Sequence, residues 1–236
     1  MNTTPNDFDK TDLVRLWLHE ATRVFSDRLI DIKDNEWFLE HVKSNITKNF
    51  NVNFYDTFEH LDVEATKEIN VDCVRRLFFG DYMTPTEEEK RPYKEVHDLD
   101  ALAATMNEYL TDYNNQSRQQ MDLVMFKFAI EHVSRASRVL KMPGGNALLV
   151  GMGGSGRQSM AKLATFMAGY KIKQIEITKS YGQFEWREDL KEVLRGAGCS
   201  QDPLVFLFSD TQIKDEGFVE DINNMLNAGE VPNIFA

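Results

Sequence analysis

The stretch from Ala147 to Met167, ALLVGMGGSGRQSMAKLATFM, constrains the fold more than any other part of this chain. An apolar run, a glycine-dense turn and a helical repeat follow one another there without a break. Ala147, Leu148, Leu149 and Val150 are apolar without alternation and end at a glycine, which predicts a strand buried on both faces. Met160, Leu163, Ala164 and Met167 then recur at i, i+3, i+4 and i+7, the spacing of a helix that buries one side.

Between strand and helix, Gly151, Met152, Gly153, Gly154, Ser155, Gly156, Arg157, Gln158 and Ser159 overlay the phosphate-loop pattern G-x-x-x-x-G-K-[ST] at both framing glycines. Glycines let successive backbone N–H groups turn inward onto a polyphosphate, and the helix that follows adds the positive end of its dipole. The cradle itself needs no lysine. In the consensus the lysine brings a mobile charge to the outer phosphates and the next hydroxyl brings a magnesium ligand; here Arg157 and Gln158 stand in those places. Arg157 keeps the charge on a bulkier, planar group. Gln158 offers only an amide oxygen to a metal, while Ser159, one residue on, is rotated by roughly 100° and is expected to face away. A glycine-rich turn that binds nothing is the competing reading; its position between a buried strand and an amphipathic helix favours the phosphate loop.

The second half of such a site is expected from Leu204, Val205, Phe206, Leu207 and Phe208, a buried strand that delivers Ser209 and Asp210 at its end. Two consecutive acids are usual there, one for magnesium and one for the attacking water. With Ser209-Asp210, one carboxylate does the work of two, and Asp210 is both the metal candidate and the weak catalytic candidate, with Ser209 as its companion at the metal. A plain helix cap is the alternative role for Asp210. Ile172 to Thr178 reads as another strand and Glu185 to Arg195 as a helix, so strands and helices alternate as in a parallel sheet covered on both faces. Ligands of such sheets sit at the C-terminal ends of the strands.

Upstream, Leu13, Leu16, Trp17, Glu20, Val24 and Phe25 suggest one helical face, capped by Asp9 or Thr11, with Trp17 and Phe25 as core anchors. A polar break at 31–35 precedes a second helix through Trp37, Phe38, His41, Val42 and Ile46. The region 49–93 is irregular, with a short helix possible at 71–79 and with Gly80, Pro85, Glu87-Glu88-Glu89 and Pro92 marking a boundary. Further helices are expected over 99–110 and over 121–140, where Leu123, Phe126, Ile130, Val133 and Val139 form the buried stripe. Arg135 and Arg138 belong to a solvated or ion-paired face. The division that follows is a helical segment, 1–80, a linker with helices, 81–143, and a phosphate-loop core, 144–236.

A formal net charge of −11 over 236 residues argues against a general nucleic-acid binder, which needs a basic face, and leaves room only for a local basic patch. Cys73 and Cys199 lie far apart, and the five histidines (His19, His41, His60, His97 and His132) are scattered, so no disulfide framework or metal spacing is read, and each histidine is expected at or near the surface. No run long and apolar enough to cross a bilayer occurs, and the polar start MNTTPNDFDK is no secretory signal, which points to a cytosolic or cytoskeletal protein without membrane partners.

LLVGMGGSGRQS, EWREDLKEVLRGAG, FLFSDTQIKDEGFVEDINNMLNAGEVPNIF and, upstream, MDLVMFKFAIEHVSRASRVL resemble the fourth AAA+ module of an axonemal, ciliary-type dynein heavy chain. LWLHEATRVFSDRLID resembles the end of the module before it. The resemblance implies an α/β fold: an incomplete P-loop NTPase (AAA+) parallel sheet preceded by an α-helical segment, with strand order 5-1-4-3-2. It makes Gly151 to Ser159 the Walker A loop and Ser209-Asp210 the Walker B position. It implies ATP or ADP, with magnesium possible, and as partners the remaining modules of a six-module ring, microtubules and dynein intermediate and light chains, in the cytoplasm and the cytoskeleton of the ciliary axoneme. Arg157, Gln158 and Ser209 depart from the hydrolytic form of the motifs, so weak or no hydrolysis is expected; a scaffold module without turnover is the alternative, and a free-standing phosphotransferase a third. Strands four and five cannot be placed before Ala236. Leu148 and Phe206 are therefore expected to lack the strand between them, and with it part of their backbone pairing.

Overall fold

The computed structural model describes residues 9–84, 91–200 and 202–235. The chain forms two compact units, one of Met1–Glu108 with Met125–Arg135 and one of Tyr109–Val124 with Ala136–Ala236. Pro85 and the Glu87-Glu88-Glu89 run, read above as boundary signals, lie outside the described residues, as does the start of the N-terminal segment.

The first unit begins with α1 (Lys10–Val24), whose start is fixed by a reciprocal box. The Asp9 carboxylate accepts the Asp12 N–H at 2.8 Å, and the Asp12 carboxylate accepts the Asp9 N–H at 3.3 Å. The buried stripe of α1 is Val14, Leu18, His19 and Thr22. This corrects the expected face at Leu13, Trp17 and Phe25, while Leu16 packs partly buried against the core: Leu13 and Phe25 are 52% and 61% exposed. Trp17 and Phe25 instead pack at the rim, on Phe50 and Phe38, with ring centroids 5.6 and 6.4 Å apart. The core face is turned about one residue, roughly 100°, from the face that hydrophobicity alone selects. The aromatics at the centre of this core come from elsewhere in the chain, Phe58, Phe79 and Tyr93.

α2 (Ile32–Phe50) starts at the polar stretch expected to be a break, and contributes Leu39, Val42 and Ile46 to the core. The short helices α3 (Phe54–Phe58) and α4 (Val71–Val74) follow, capped by Asn53 and Asn70 side chains. A hairpin completes the unit: β1 (Phe78–Gly80) pairs antiparallel with β2 (Lys94–Val96), with Phe79 opposite Glu95. Three-residue strands carry too little alternation to be read from sequence, and this hairpin replaces the end of the helix expected over 71–79. His19 is buried, against the expectation of a surface position. Its Nδ1 lies 3.1 Å from the Leu77 carbonyl and its Nε2 3.2 Å from the Tyr93 hydroxyl, so both ring nitrogens are satisfied.

α5 (Leu99–Gln116) extends past its expected end, whereas α6 (Lys127–Leu140) starts six residues later than Met121. The segment between them is held by Asn114, whose side-chain amide donates to the Met121 carbonyl at 2.9 Å and accepts its N–H at 2.7 Å. Ile130 and Val133 are buried as expected; Phe126 is 57% exposed. Arg135 is ion-paired, 3.3 Å from Asp27, and Arg75 bonds Glu131 at 3.0 Å.

In the second unit α7 (Arg157–Met167) leads to β3 (Lys171–Lys173), α8 (Gln183–Cys199), β4 (Leu204–Phe206) and α9 (Glu216–Ala228). β3 and β4 pair in parallel, Ile172 opposite Val205. Backbone bonds from Lys171 N–H to Pro203 and from Leu207 N–H to Lys173 extend the ladder at both ends. The strands expected over 172–178 and 204–208 are thus shorter than the apolar runs. Around them Trp186, Leu190, Phe218, Val231 and Ile234 form the core. Trp186 stacks on Phe218 at 4.4 Å, and its indole N–H donates to Asp221 at 2.8 Å.

Ala147 to Val150 forms no strand and belongs to no sheet, which corrects the buried strand expected there. Leu148 and Val150 are 90% and 84% exposed. Among the described residues no strand pairs with this segment. Its apolar sequence is suited to a sheet interior, but a strand without a neighbour has no ladder to join.

The core face of α1 gives a direct test. Leu18→Ala, at a fully buried position, should lower unfolding free energy by about 2–5 kcal/mol, while Leu13→Ala should cost less than about 1 kcal/mol. Denaturant titration of both variants checks which face is the core.

Candidate phosphate-binding site

The phosphate loop is built by two local requirements. Gly154 and Gly156 have φ of +78° and +75°, the left-handed region that L side chains avoid. Space is not the constraint, since a Cβ at Gly154 would meet nothing within 4 Å. Gly156 is also the N-cap of α7 and offers no side chain to the first-turn N–H groups. That turn contains no acidic residue, so its donors and dipole remain directed at whatever anion the loop encloses. The Ser155 N–H closes a turn onto the Met152 carbonyl at 3.3 Å.

Arg157 lies over this loop. Its guanidinium donates to the Met152 carbonyl at 3.1 Å and to the Leu149 carbonyl at 3.4 Å, and a Cβ on Gly151 would come within 3.3 Å of its Cδ. The cation at the lysine position therefore braces the loop from within. Gln158 is exposed, and its amide oxygen accepts from the Gln174 side chain at 3.4 Å. Ser159 is half-buried one position along the helix. Leu163, Ala164 and Met167 are buried as their spacing predicts, which anchors the helix that carries the loop.

At the end of β4, Ser209 starts a 3-10 turn, Asp210–Gln212. Its N–H and hydroxyl both donate to the Gln212 side-chain oxygen, at 2.7 and 3.1 Å. The exposed Asp210 carboxylate accepts the Thr211 N–H at 3.0 Å. The cap of this turn is thus Ser209, not Asp210. Gln212, absent from the sequence reading, is buried and donates to the Ile175 carbonyl at 2.6 Å, tying the turn to the segment after β3. Only a glutamine three residues beyond a serine, the spacing of a capping box, could have signalled it. The nine loop residues thus form one continuous turn and helix start, while Ser209 and Asp210 lie in a separate turn, and their own side-chain bonds stay within 209–212.

Nearby, burial and then a hydrogen bond to the Asp189 carboxylate raise the Tyr181 hydroxyl well above its ordinary value. That pair joins the loop before α8 to the helix itself. N–H donors from Glu185 itself and from Gly182 hold the Glu185 carboxyl below the ordinary glutamate range and so favour its charged form at the start of α8.

The comparisons with known proteins bear on this arrangement. A family model described as the P-loop containing dynein motor region D4 matches residues 121–236, and one described as an AAA+ lid domain matches residues 7–61. Dynein axonemal heavy chain 3 of Homo sapiens is 52% identical over 227 residues, covering 96% of this chain and 5% of its own length. Dynein axonemal heavy chain 1 of Mus musculus is 43% identical over 97% of this chain, and the dynein-1-beta heavy chain of the flagellar inner arm I1 complex of Chlamydomonas reinhardtii 42% over 96%. The chain spans about 5% of the length of these relatives. Among the described residues no helix is long and apolar enough to cross a membrane.

The loop geometry separates two glycines by their backbone. Gly156→Ala should cost about 1–2 kcal/mol, whereas Gly153→Ala, with an ordinary φ and open space around it, should change stability by less than about 0.5 kcal/mol. Chemical denaturation of the two variants checks this.

Proposed function

The chain belongs to the axonemal dynein heavy-chain family, and we propose that its phosphate loop, Gly151 to Ser159, binds ATP or ADP as a nucleotide site of the fourth motor region. The observation that carries the proposal is the left-handed pair Gly154 and Gly156 at an uncapped helix start free of acidic residues. Backbone N–H groups there would grip the phosphates. Arg157 would leave the loop carbonyls to meet the outer phosphate charge. Magnesium, where it accompanies the nucleotide, would have Asp210 as its carboxylate, with Ser209 beside it, and the same Asp210 would be the acid offered to a water.

In this reading residues 1–80 close the preceding module, 81–143 lead into the core, and 144–236 carry the site. The lid-domain match over residues 7–61 supports the first of these. The partners would be the other modules of the heavy-chain ring, and through the whole heavy chain microtubules and the intermediate and light chains of the axoneme in a cilium or flagellum. In the intact heavy chain, Gly154→Val combined with Gly156→Val should remove one equivalent of bound adenine nucleotide in calorimetry. Unchanged stoichiometry would remove the proposal.

A second reading, a module that takes part in the ring without turnover, is favoured by the internal bonds of Arg157, Gln158 and Ser209. Replacing Arg157→Lys, Gln158→Thr, Ser209→Asp and Asp210→Glu together should then create ATP turnover at this site that the native sequence lacks. Equal steady-state rates before and after would count against it.

A further inference from the structure

Away from the phosphate loop, three residues distant in sequence converge in the first unit: His60, Glu95 and His97. One ligand-capable atom from each lies within 4.8 Å of the others. The His60 Nε2 is 2.7 Å from the Glu95 Oε1, the His97 Nδ1 is 3.7 Å from the same oxygen, and the two imidazoles meet edge to face with centroids 5.4 Å apart. The fold brings them together because His60 lies in the 3-10 turn after α3, Glu95 sits in the middle of β2 and His97 directly follows that strand. The glutamate is the unusual member. Its side chain is only 8% exposed, and its Oε2 is buried without a hydrogen-bond partner. The Arg15 guanidinium is ion-paired with that oxygen at 3.6 Å, and spends its Nε–H on the Thr57 carbonyl.

We propose that His60, Glu95 and His97 form a site for a divalent transition metal of the zinc type. Two imidazoles and one carboxylate are a donor set that zinc takes readily and that the all-oxygen preference of calcium and magnesium disfavours. Ligand atoms around a tetrahedral zinc lie about 3.3 Å apart, as follows from bonds of about 2.0–2.1 Å. The separations of 2.7 and 3.7 Å bracket that figure, and the 62% exposed His97 ring has room to adjust. Such a metal would compensate the buried carboxylate and staple the turn at His60 to the β1–β2 hairpin, with one coordination position left for water. A hydrogen-bonded His60–Glu95 pair with His97 as a bystander is the simpler account, and it needs no metal.

The two accounts differ at His97, whose loss leaves the His60–Glu95 bond in place. Zinc chloride titrated into the 236-residue chain should bind at one equivalent and raise the thermal midpoint. Since losing even an outer partner of a ligand costs about 10–100-fold in affinity, His97→Ala should weaken zinc binding at least about tenfold. Glu95→Gln, with the same shape and no charge, should do likewise, and His41→Ala, a histidine stacked on Trp37 elsewhere on the surface, should change nothing. Circular dichroism confirms that each variant is folded. Absence of zinc binding, or binding that His97→Ala and Glu95→Gln leave intact, would overturn the site.

Discussion

The flat stack of Trp186 on Phe218, planes 10° apart, is the contact on which the second unit depends. It joins α8 to α9, and on its flank the Trp186 ring meets Phe208 at 5.2 Å, just beyond β4. Because the indole N–H is satisfied by Asp221, the ring is buried without an orphaned donor. The parallel β3–β4 pair rests against this cluster through Phe206, and the direction of β4 then determines where Ser209 and Asp210 emerge. The 209–212 turn is held to Ile175 by Gln212, so the residues after β4 are supported by a buried polar contact as well as by packing.

The phosphate loop rests on a different physical basis. Its curvature comes from two glycine dihedrals and its anchorage from the buried side of α7, neither of which requires the preceding strand to be paired. This is why the loop keeps its form while Leu148 and Val150 lie open to solvent. The cost appears in the chemistry. An arginine whose N–H groups are occupied by loop carbonyls must exchange those bonds for phosphate contacts, so the net gain from its charge is the difference between two sets of hydrogen bonds. A lysine ammonium would carry fewer such ties.

The first unit shows how polar groups are accommodated inside a helical core. His19 is satisfied by Leu77 and Tyr93, and the Thr22 hydroxyl by the Leu18 carbonyl at 2.8 Å. The Tyr82 hydroxyl bonds Ser134 at 3.1 Å, while burial above all pushes its pKa up to about 12 and keeps it neutral. Glu95 differs from these because its Oε2 faces Arg15 at 3.6 Å without accepting a hydrogen bond.

The sequence by itself determined what is local. The glycine spacing specified the loop, the i, i+3, i+4, i+7 pattern specified α7, and the capping residues Asp9 and Thr11 marked the start of α1 to within two positions, because dihedral preference, helical period and capping act within a few residues. It also carried the family, through runs of residues too long to coincide by chance. What only the tertiary structure decided is what depends on neighbours far along the chain. Ala147 to Val150 has the composition of a buried strand yet stays unpaired, since a strand is made by its partner. Trp17 and Phe25 have the hydrophobicity of core residues yet line a rim, since burial follows the space that Val14 and Leu18 leave. The buried His19, the short hairpin and the meeting of His60, Glu95 and His97 have no local signature at all, and the serine-to-glutamine spacing at Ser209 and Gln212 does not reveal the bond to Ile175, because each is a contact across many residues that folding alone brings within reach.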